Sequence, residues 1–366
     1  MQFKIAKHEI LVPLQHISRI ATSKVIPILS GVLVIVNPDR MILVGGDSNN
    51  ILRYELSKDK FEYAESGSIV LPIAKLYEMI RKMDGDWIQI QRIANHSVHI
   101  VCGNSNFRLV GMDADEYPDV RMEQSGQQMM INGEKLKELI SQTMYAISSR
   151  EETPLLTGIH IQLHHDQVQF TACDRHRVAR MTEWLECEIS EEKVIAGKTL
   201  AEIKNIVKDG DPVLIDILDH RVIFKQGAFT YAVTPLEGRY PNIEKMIRME
   251  SSSRAVVSTK NLLRTLERTM IISDRGNGFI TTMRKNDDHL KIFCQGENGY
   301  LDEMITLERH DGDSYEINYN TKYAIDALKA IRTEYTAIHY SHNQKLIVFK
   351  ADEQESSVHL IMGALK

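Results

Sequence analysis

Apolar residues recur at helical spacing at the start of three long stretches of the chain. In segment 131–148 the recurring residues are Leu136, Leu139, Ile140, Met144 and Ile147. Steps of three and four residues place these side chains on one face of a helix. Segments 8–21 and 258–272 have the same pattern, so the sequence predicts three such helices.

Alternating apolar and polar residues follow each predicted helix. After the middle one, Ile159, Ile161 and Leu163 alternate with polar neighbours, which is the period of a strand with one buried face. The polar segments VNPDR, HHDQ and KNDDH each separate two such stretches, as the turns of β-hairpins do. A second helix and further strands come next, so the predicted order is helix, several strands, helix, several strands.

The chain also repeats itself in sequence. Segment 153–185 matches segment 26–56, and Pro154, Gly158 and Asp174 lie 127 residues after a Pro, a Gly and an Asp of the first copy. A more divergent third copy begins near Arg254. Copies of about 120 residues are much longer than the units of solenoid proteins, so each copy is interpreted as a domain.

Two polar segments rich in Gly or Ser separate the copies. They are MEQSGQQ (122–128) and MESSSR (249–254), and both have the composition of linkers. The predicted domains are therefore 1–123, 124–250 and 251–366. The predicted fold class is α+β: three tandem similar domains, each with two helices packed against antiparallel sheets.

The composition is that of an ordinary globular protein. Of its 366 residues, 43% are hydrophobic and 26% are charged, and no apolar run reaches the roughly 18 residues of a membrane helix. The N-terminus MQFKIAKHEI lacks the apolar stretch of a secretory signal, so we expect a cytoplasmic protein that uses no membrane. The cysteines at 102, 173, 187 and 294 are scattered singly, which predicts reduced thiols rather than disulfides or a zinc site.

Charge is distributed unevenly between helices and the rest of the chain. The formal net charge is −6, yet the six predicted helix windows hold 18 basic and seven acidic residues, against 26 and 43 elsewhere. A single lysine-rich helix face is usually just a solvated surface. Six basic windows in a repeated architecture predict instead a surface that attracts phosphate.

Four motifs together resemble one family. They are PLLTGIHI (154–161), TACDRHRVAR (171–180), LEGRYPNI (236–243) and NTKYAIDAL (320–328). With the threefold repeat, they make the chain similar over its whole length to the bacterial DNA sliding clamps, the β subunits of DNA polymerase III. The resemblance implies a head-to-tail homodimeric ring that encircles duplex DNA without reading its sequence, with helices lining the hole. It implies no reaction and no cofactor.

The resemblance also implies partners and a site for them. A sliding clamp tethers DNA polymerase, the clamp loader and repair proteins, which bind through short linear peptides. Mapped onto this sequence, the peptide-binding pocket comprises Leu156, Cys173, Arg175, His176, Arg177, Val178, Pro241, Met246, Tyr323, Leu360 and Met362. Apolar walls with a few polar groups suit such a ligand.

Two features of this pocket depart from the family pattern. Arg175 stands where the family usually has a small residue, and the C-terminus LIMGALK has Gly363 in place of a proline. The chain is therefore either a main replicative clamp or a divergent second copy. Cys173 lies beside arginines that could lower its pKa, but no base is oriented toward it, so a packing thiol is expected.

Further residues are assigned to DNA and to the subunit interface. The predicted DNA contacts are Lys24, Arg150, Lys198, Lys204 and Arg264. Family positions at the subunit interface match Lys75, Phe107, Leu109, Ile271 and Ile272. For Phe107 and Leu109 an alternative is open, since one face of a strand inside a domain core has the same spacing.

Two other functions are open on the residues alone. One is a metal-dependent hydrolase on a duplicated α+β fold that uses Asp174 and His176, and the other is a repeat scaffold that binds proteins but not DNA. His160, His164 and His165 lie near that motif in sequence. Adjacent residues of a strand point to opposite faces, and no His-Glu-x-x-His spacing occurs, so no metal is expected.

Overall fold

The computed structural model describes residues 1–23, 25–94, 96–118, 122, 126–150, 152–185, 190–273, 279–343, 345–352 and 356–364. In chain order its strands are β1 (Gln2–Ala6), β2 (Gly31–Val36), β3 (Arg40–Gly46), β4 (Asn50–Ser57), β5 (Phe61–Glu65), β6 (Gly67–Pro72), β7 (Trp87–Ile93), β8 (Ser97–Cys102), β9 (Ser105–Val110), β10 (Gln127–Asn132), β11 (Gly158–His164), β12 (Gln167–Cys173), β13 (Arg177–Trp184), β14 (Glu191–Ala196), β15 (Pro212–Ile217), β16 (Val222–Gln226), β17 (Phe229–Val233), β18 (Ser253–Ser258), β19 (Ile280–Lys285), β20 (His289–Gly296), β21 (Gly299–Thr306), β22 (Arg309–Gly312), β23 (Tyr315–Asn320), β24 (Tyr335–Ser341), β25 (Leu346–Ala351) and β26 (Ser357–Met362). The helices are α1 (Lys7–Ile20), α2 (Ile73–Lys82), α3 (Gly133–Met144), α4 (Gly197–Ile206), α5 (Glu244–Ile247), α6 (Thr259–Ile272) and α7 (Thr321–Ala330).

The order of these elements repeats three times. Each repeat begins with a strand and a helix, continues with a run of strands, and ends with a second helix and three strands. The first repeat carries α1 and α2, the second α3 and α4, and the third α6 and α7. The predicted fold class is confirmed, whereas the domain boundaries at 123 and 250 stay a prediction.

Strands from different repeats pair with each other in the same sheet. The chain forms two compact units, unit 1 from Met1–Glu134 with Lys198–Pro235, and unit 2 from Lys135–Gly197 with Leu236–Lys366. In unit 1, β4 of the first repeat pairs with β17 of the second, and in unit 2, β13 of the second pairs with β26 of the third. A sheet that continues from one repeat into the next leaves fewer free edges.

Each unit contains two antiparallel sheets. Unit 1 has a five-stranded sheet, β5-β1-β7-β8-β9, and an eight-stranded sheet, β10-β15-β16-β17-β4-β3-β2-β6. Unit 2 has a nine-stranded sheet, β14-β11-β12-β13-β26-β25-β24-β18-β22, and a four-stranded sheet, β21-β20-β19-β23. Strands β9 and β21 are therefore edge strands.

The helices pack on these sheets through the apolar faces that the sequence predicts. Helix α1 contacts β3 and β4 and buries Ile10, Leu14 and Ile17, which are spaced by four and three residues. Helix α6 contacts β20 and β21 and buries Leu262 and Leu266. Such faces stabilise short helices mainly through tertiary packing. Among the described residues, no helix has the length and apolar character needed to cross a membrane.

The repeated segment before β2 and β11 has a physical explanation. Pro27–Ser30 and Pro154–Thr157 each form a 3₁₀ turn with proline at its start, where the missing N–H costs least. The glycine that follows begins the strand in close contact with the neighbouring backbone, because a Cβ on Gly158 would lie 2.8 Å from the carbonyl oxygen of Ile195. Proline and glycine are therefore required by the backbone, not by a ligand.

Candidate functional site

An aspartate organises the same tight turn in the first two repeats. Before β13, Asp174 Oδ1 accepts hydrogen bonds from the N–H groups of His176 at 3.0 Å and Arg177 at 3.2 Å. Before β4, Asp47 Oδ1 accepts from the N–H groups two and three residues further on, at 2.8 and 2.7 Å. Both are Asx-type turns. The aspartate is therefore structural, and only the second repeat adds a histidine and an arginine.

Five of the eleven predicted pocket residues belong to one apolar cluster next to this turn or pack against it. Leu156, Cys173, Val178 and Leu360 are buried together, and Met246 packs against them. Leu360 is 0% exposed and Val178 is 3% exposed, so these side chains form the floor of the site rather than open walls. Strands β12, β13 and β26 hold this floor in one sheet.

Tyr240 secures the floor and is a residue that the site prediction missed. Its hydroxyl accepts a hydrogen bond from the N–H of Cys173 at 3.0 Å, and its ring stacks on His160 with 4.7 Å between centroids. The signal was present in the motif LEGRYPNI, because Tyr117 stands in the corresponding EYP of the first copy. Pro241, the next residue, is exposed.

Cys173 has the environment of a packing thiol. Its side chain is 6% exposed, and burial raises the pKa of the thiol. A raised pKa keeps sulfur in the unreactive protonated form at neutral pH. The prediction of a packing role is confirmed.

Arg177 and His176 lie beside Tyr323. The Arg177 guanidinium lies 4.5 Å from the Tyr323 ring centroid, and it forms ion pairs with Asp174 at 3.0 Å and Asp326 at 2.7 Å. The His176 ring stacks on Tyr323 with 6.1 Å between centroids and 18° between planes. Polar groups fixed in this way can orient the backbone of an extended ligand.

The end of β26 borders the same site. The N–H of Met362 donates to the carbonyl of His176 at 2.9 Å, and the N–H of Gly363 donates to the carbonyl of Lys345 at 2.9 Å. A proline at position 363 could not donate that second bond. Glycine thus ties the C-terminal segment to the turn before β25, while the Met362 side chain remains 41% exposed.

Arg175 occupies an unusual backbone conformation. Its φ is 87°, in the left-handed region that glycine adopts without steric cost and arginine does not. The side chain is exposed. This explains why a small residue suits the position and shows that arginine is accommodated with backbone strain.

The histidines of the metal-site alternative do not converge. His160 is buried against Tyr240 with its Nε2 3.1 Å from Glu192 Oε2, and burial is the main cause that lowers its pKa. His164 and His165 are exposed. In the described ranges no group of three or more His, Cys, Asp or Glu residues is placed to hold a metal ion.

Four of the five predicted DNA contacts are exposed and, within the described ranges, unpaired. Arg150, Lys198, Lys204 and Arg264 are all exposed, and within the described ranges their side chains form no ion pair or hydrogen bond. Lys24 lies outside the described residues. Other basic helix residues are neutralised locally, for example Arg81 by Glu78, Lys135 by Glu138 and Arg268 by Glu303.

The predicted interface residues divide into buried and exposed ones. Leu109 is 7% exposed and is a core residue of β9, as the alternative interpretation expected. Phe107 lies two residues earlier on the same face of the edge strand β9, yet it is 40% exposed. Ile271 is 79% exposed, Ile272 is half-buried and Lys75 is exposed.

Comparison with known proteins identifies the class to which this architecture belongs. Family models of the DNA polymerase III β subunit match the three repeats in order: the N-terminal domain at residues 1–121, the central domain at 130–242 and the C-terminal domain at 245–364. The β sliding clamp of Bacillus subtilis is 28% identical, and that of Staphylococcus aureus strain Mu50 27%, over 99% of this chain and at least 98% of theirs. A crystal structure of the B. subtilis clamp, 26% identical, superimposes over 100% of this chain and 99% of its own with a TM-score of 0.96.

The fold is thus that of a DNA sliding clamp. The chain belongs to the family of bacterial DNA polymerase III β subunits. The resemblance seen in the motifs is confirmed, and neither the hydrolase nor the scaffold alternative finds support in these comparisons.

Proposed function

We propose that the chain is a non-enzymatic processivity factor, two copies of which close head to tail into a ring around duplex DNA. The threefold repeat, matched over its length by three clamp-domain models, is the observation that supports this most directly. A closed ring stays on DNA by topology and needs no tight contact. It raises the local concentration of a tethered polymerase at the primer end.

Unpaired cations on the helices are the proposed DNA contacts. Lys198 and Lys204 on α4 and Arg264 on α6 are exposed without neutralising partners among the described residues. Phosphate contacts of this kind carry no sequence information and allow sliding. Arg150, in a loop, is assigned the same role.

The free edges of β9 and β21 are the proposed subunit contacts. Edge strands offer unpaired N–H and C=O groups to another chain. Phe107 lies on β9, while Tyr300 and Met304 on β21 are 69% and 67% exposed. Joining the β9 edge of one copy to the β21 edge of the next is a heterologous contact, which closes when the rotation is right.

The cluster of Leu156, Cys173, Val178 and Leu360, bordered by Met362 and Tyr323, is the proposed peptide-binding pocket. Its apolar floor suits aliphatic and aromatic anchors, and its edge carries the fixed polar groups of His176 and Arg177. The proposed partners are DNA polymerase, the clamp loader and repair proteins, and the proposed location is the cytoplasm.

Retention on circular DNA tests the ring. The protein is loaded onto a nicked plasmid with a bacterial clamp loader and ATP, and DNA-bound protein is separated by gel filtration before and after the plasmid is cut once. A topological clamp stays on the circle and is lost from the linear form. Equal retention on both forms would contradict the proposal, because ordinary binding does not depend on closure of the DNA.

A further inference from the structure

Two basic residues lie on either side of the end of β26. In the nine-stranded sheet β26 lies between β13 and β25, and the turns that precede those strands contain Arg175 and Lys345. The backbone hydrogen bonds of Met362 to His176 and of Gly363 to Lys345 join β26 to both turns. The two cations therefore flank the exposed Met362.

Both residues hold unfavourable backbone angles. Arg175 has φ 87° and Lys345 has φ 51°, and in the described ranges only His96 and Phe279 are other non-glycine residues with positive φ. Such a conformation costs about 1–2 kcal/mol for an ordinary residue. Strained residues cluster at binding sites, where the strain can be part of the function.

Neither cation is neutralised in the described part of the chain. Both side chains are exposed and form no ion pair or hydrogen bond there. Three carboxylates near the two cations are engaged by arginines, whereas Glu250 beyond α5 is exposed. Asp174 and Asp326 pair with Arg177, and Glu244 pairs with Arg180 at 2.7 Å, which lowers the pKa of Glu244.

Space for a ligand is available next to the Lys345 turn. An open cavity of ≈ 660 Å³ is lined by Ser341 at the end of β24, by Asn343 of that turn, and by the charged residues Glu244, Lys245, Arg248 and Glu250 in and after α5. Lys345 is joined to this lining, since its N–H donates to the carbonyl of Ser341 at 2.9 Å. A peptide anchored on the floor can therefore extend past Lys345.

We infer that Arg175 and Lys345 make this clamp select peptides that carry acidic residues beside their apolar anchors. The inference rests on the proposed peptide pocket and adds the chemistry of the preferred partner. Opposite charges at the edge of an apolar site contribute mainly to selectivity and to association rate. The partner predicted is an acidic linear peptide.

Three labelled peptides test the inference. They share two leucines and one phenylalanine as anchors, and their flanking positions are all aspartate, all serine or all lysine. Fluorescence anisotropy should give the lowest Kd for the aspartate peptide and the highest for the lysine peptide. Each exposed charge pair should change affinity about two- to five-fold, and added salt should reduce the preference.

Charge-removing variants locate the effect. Arg175→Gln and Lys345→Gln should each lower the preference for the aspartate peptide over the serine peptide about two- to five-fold. The double variant should remove this preference. The control variant Lys260→Gln on α6 should leave it unchanged. If a variant weakens both peptides equally, its residue has only a structural role and the inference is wrong. Equal binding of all three peptides by the parent protein would also refute the inference, leaving the pocket intact. Failure of all three to bind would overturn the proposed pocket itself.

Discussion

At the scale of single residues, the turn before β13 separates structural from functional side chains. Asp174 and Asp47 make the same backbone hydrogen bonds in two repeats, so the carboxylate builds the turn. His176 and Arg177 are specific to the second repeat, and both contact Tyr323 of the third. Function at this turn therefore comes from the residues that follow the shared aspartate.

The strained backbone at Arg175 should lower the free energy of unfolding. Replacing it with glycine removes about 1–2 kcal/mol of steric cost at positive φ and adds up to about 1 kcal/mol of chain entropy in the unfolded state. We therefore expect Arg175→Gly to raise the free energy of unfolding slightly, by about 0.5 kcal/mol.

Arg239→Gly provides the matched control. Arg239 is another exposed loop arginine, and it is not among the residues with positive φ, so its replacement brings only the entropic cost. In urea titrations followed by circular dichroism, the free energies of unfolding of the two variants, each relative to the parent, should differ by about 1–2 kcal/mol in favour of Arg175→Gly, because the entropic cost is common to both. Equal destabilisation by both variants would show that Arg175 is not strained.

At the scale of elements, β26 serves two surfaces at once. Leu360 and Met362 alternate with His359 and Ile361, so the first pair belongs to the pocket and the second pair to the opposite face. His359 is 0% exposed. Its Nδ1 lies 2.9 Å from the hydroxyl of Tyr145, and its Nε2 has no hydrogen-bond partner in the described part of the chain.

This buried histidine should make stability depend on pH. Burial lowers the pKa of His359 from 6.5 to about 4. Above pH 6.5 the side chain is neutral in both states, and its contribution to stability is fully present. Between pH 6.5 and 4 only the unfolded chain binds the proton, so the free energy of unfolding decreases as the pH is lowered. The change from pH 7 to pH 5 should be about 2 kcal/mol.

The variant His359→Gln tests this origin of the pH dependence. It should flatten the fall in unfolding free energy between pH 7 and 5, whatever its effect at neutral pH, whereas His165→Gln at an exposed position should not. Some slope will remain, because burial also lowers the pKa of His16 and His339 to about 4. An unchanged slope in His359→Gln would exclude this histidine as a source.

Individual elements were predictable from sequence, but their partners were not. The helix predicted within 131–148 is α3 at Gly133–Met144, because helical spacing is a local signal. The pairings of β4 with β17 and of β13 with β26 join strands from different repeats, and local periodicity does not specify them. The same holds for the bond of Arg177 to Asp326, 149 residues apart, and for Tyr240 beneath Cys173. The pocket residues themselves came from family motifs.

At the scale of the whole molecule, the distribution of charge matters more than its sum. A net charge of −6 opposes binding to DNA in general, yet Lys198, Lys204 and Arg264 are exposed and have no ion-pair partner among the residues that the structure describes. Acidic strands and loops repel phosphate, so only the basic helix faces can approach it. For a protein that encloses DNA, this arrangement favours sliding over adhesion.

We expect the proposed assembly to depend on two uncovered apolar side chains. Phe107 beside the β9 edge and Ile271 at the end of α6, which packs on β20 and β21, are exposed in the single chain, and we expect both to be covered in the ring. Placing a carboxylate at either position removes about 2 kcal/mol of apolar burial and adds a desolvation cost. Phe107→Asp and Ile271→Asp should each weaken dimerisation at least about thirty-fold, and the double variant should be monomeric at micromolar concentration.

Light scattering after gel filtration measures the oligomeric state directly. The control is Val12→Asp, which changes an exposed valine on α1 and should leave the protein dimeric. A parent protein that is monomeric at that concentration, or a double variant that remains dimeric, would show that these edges do not close the ring.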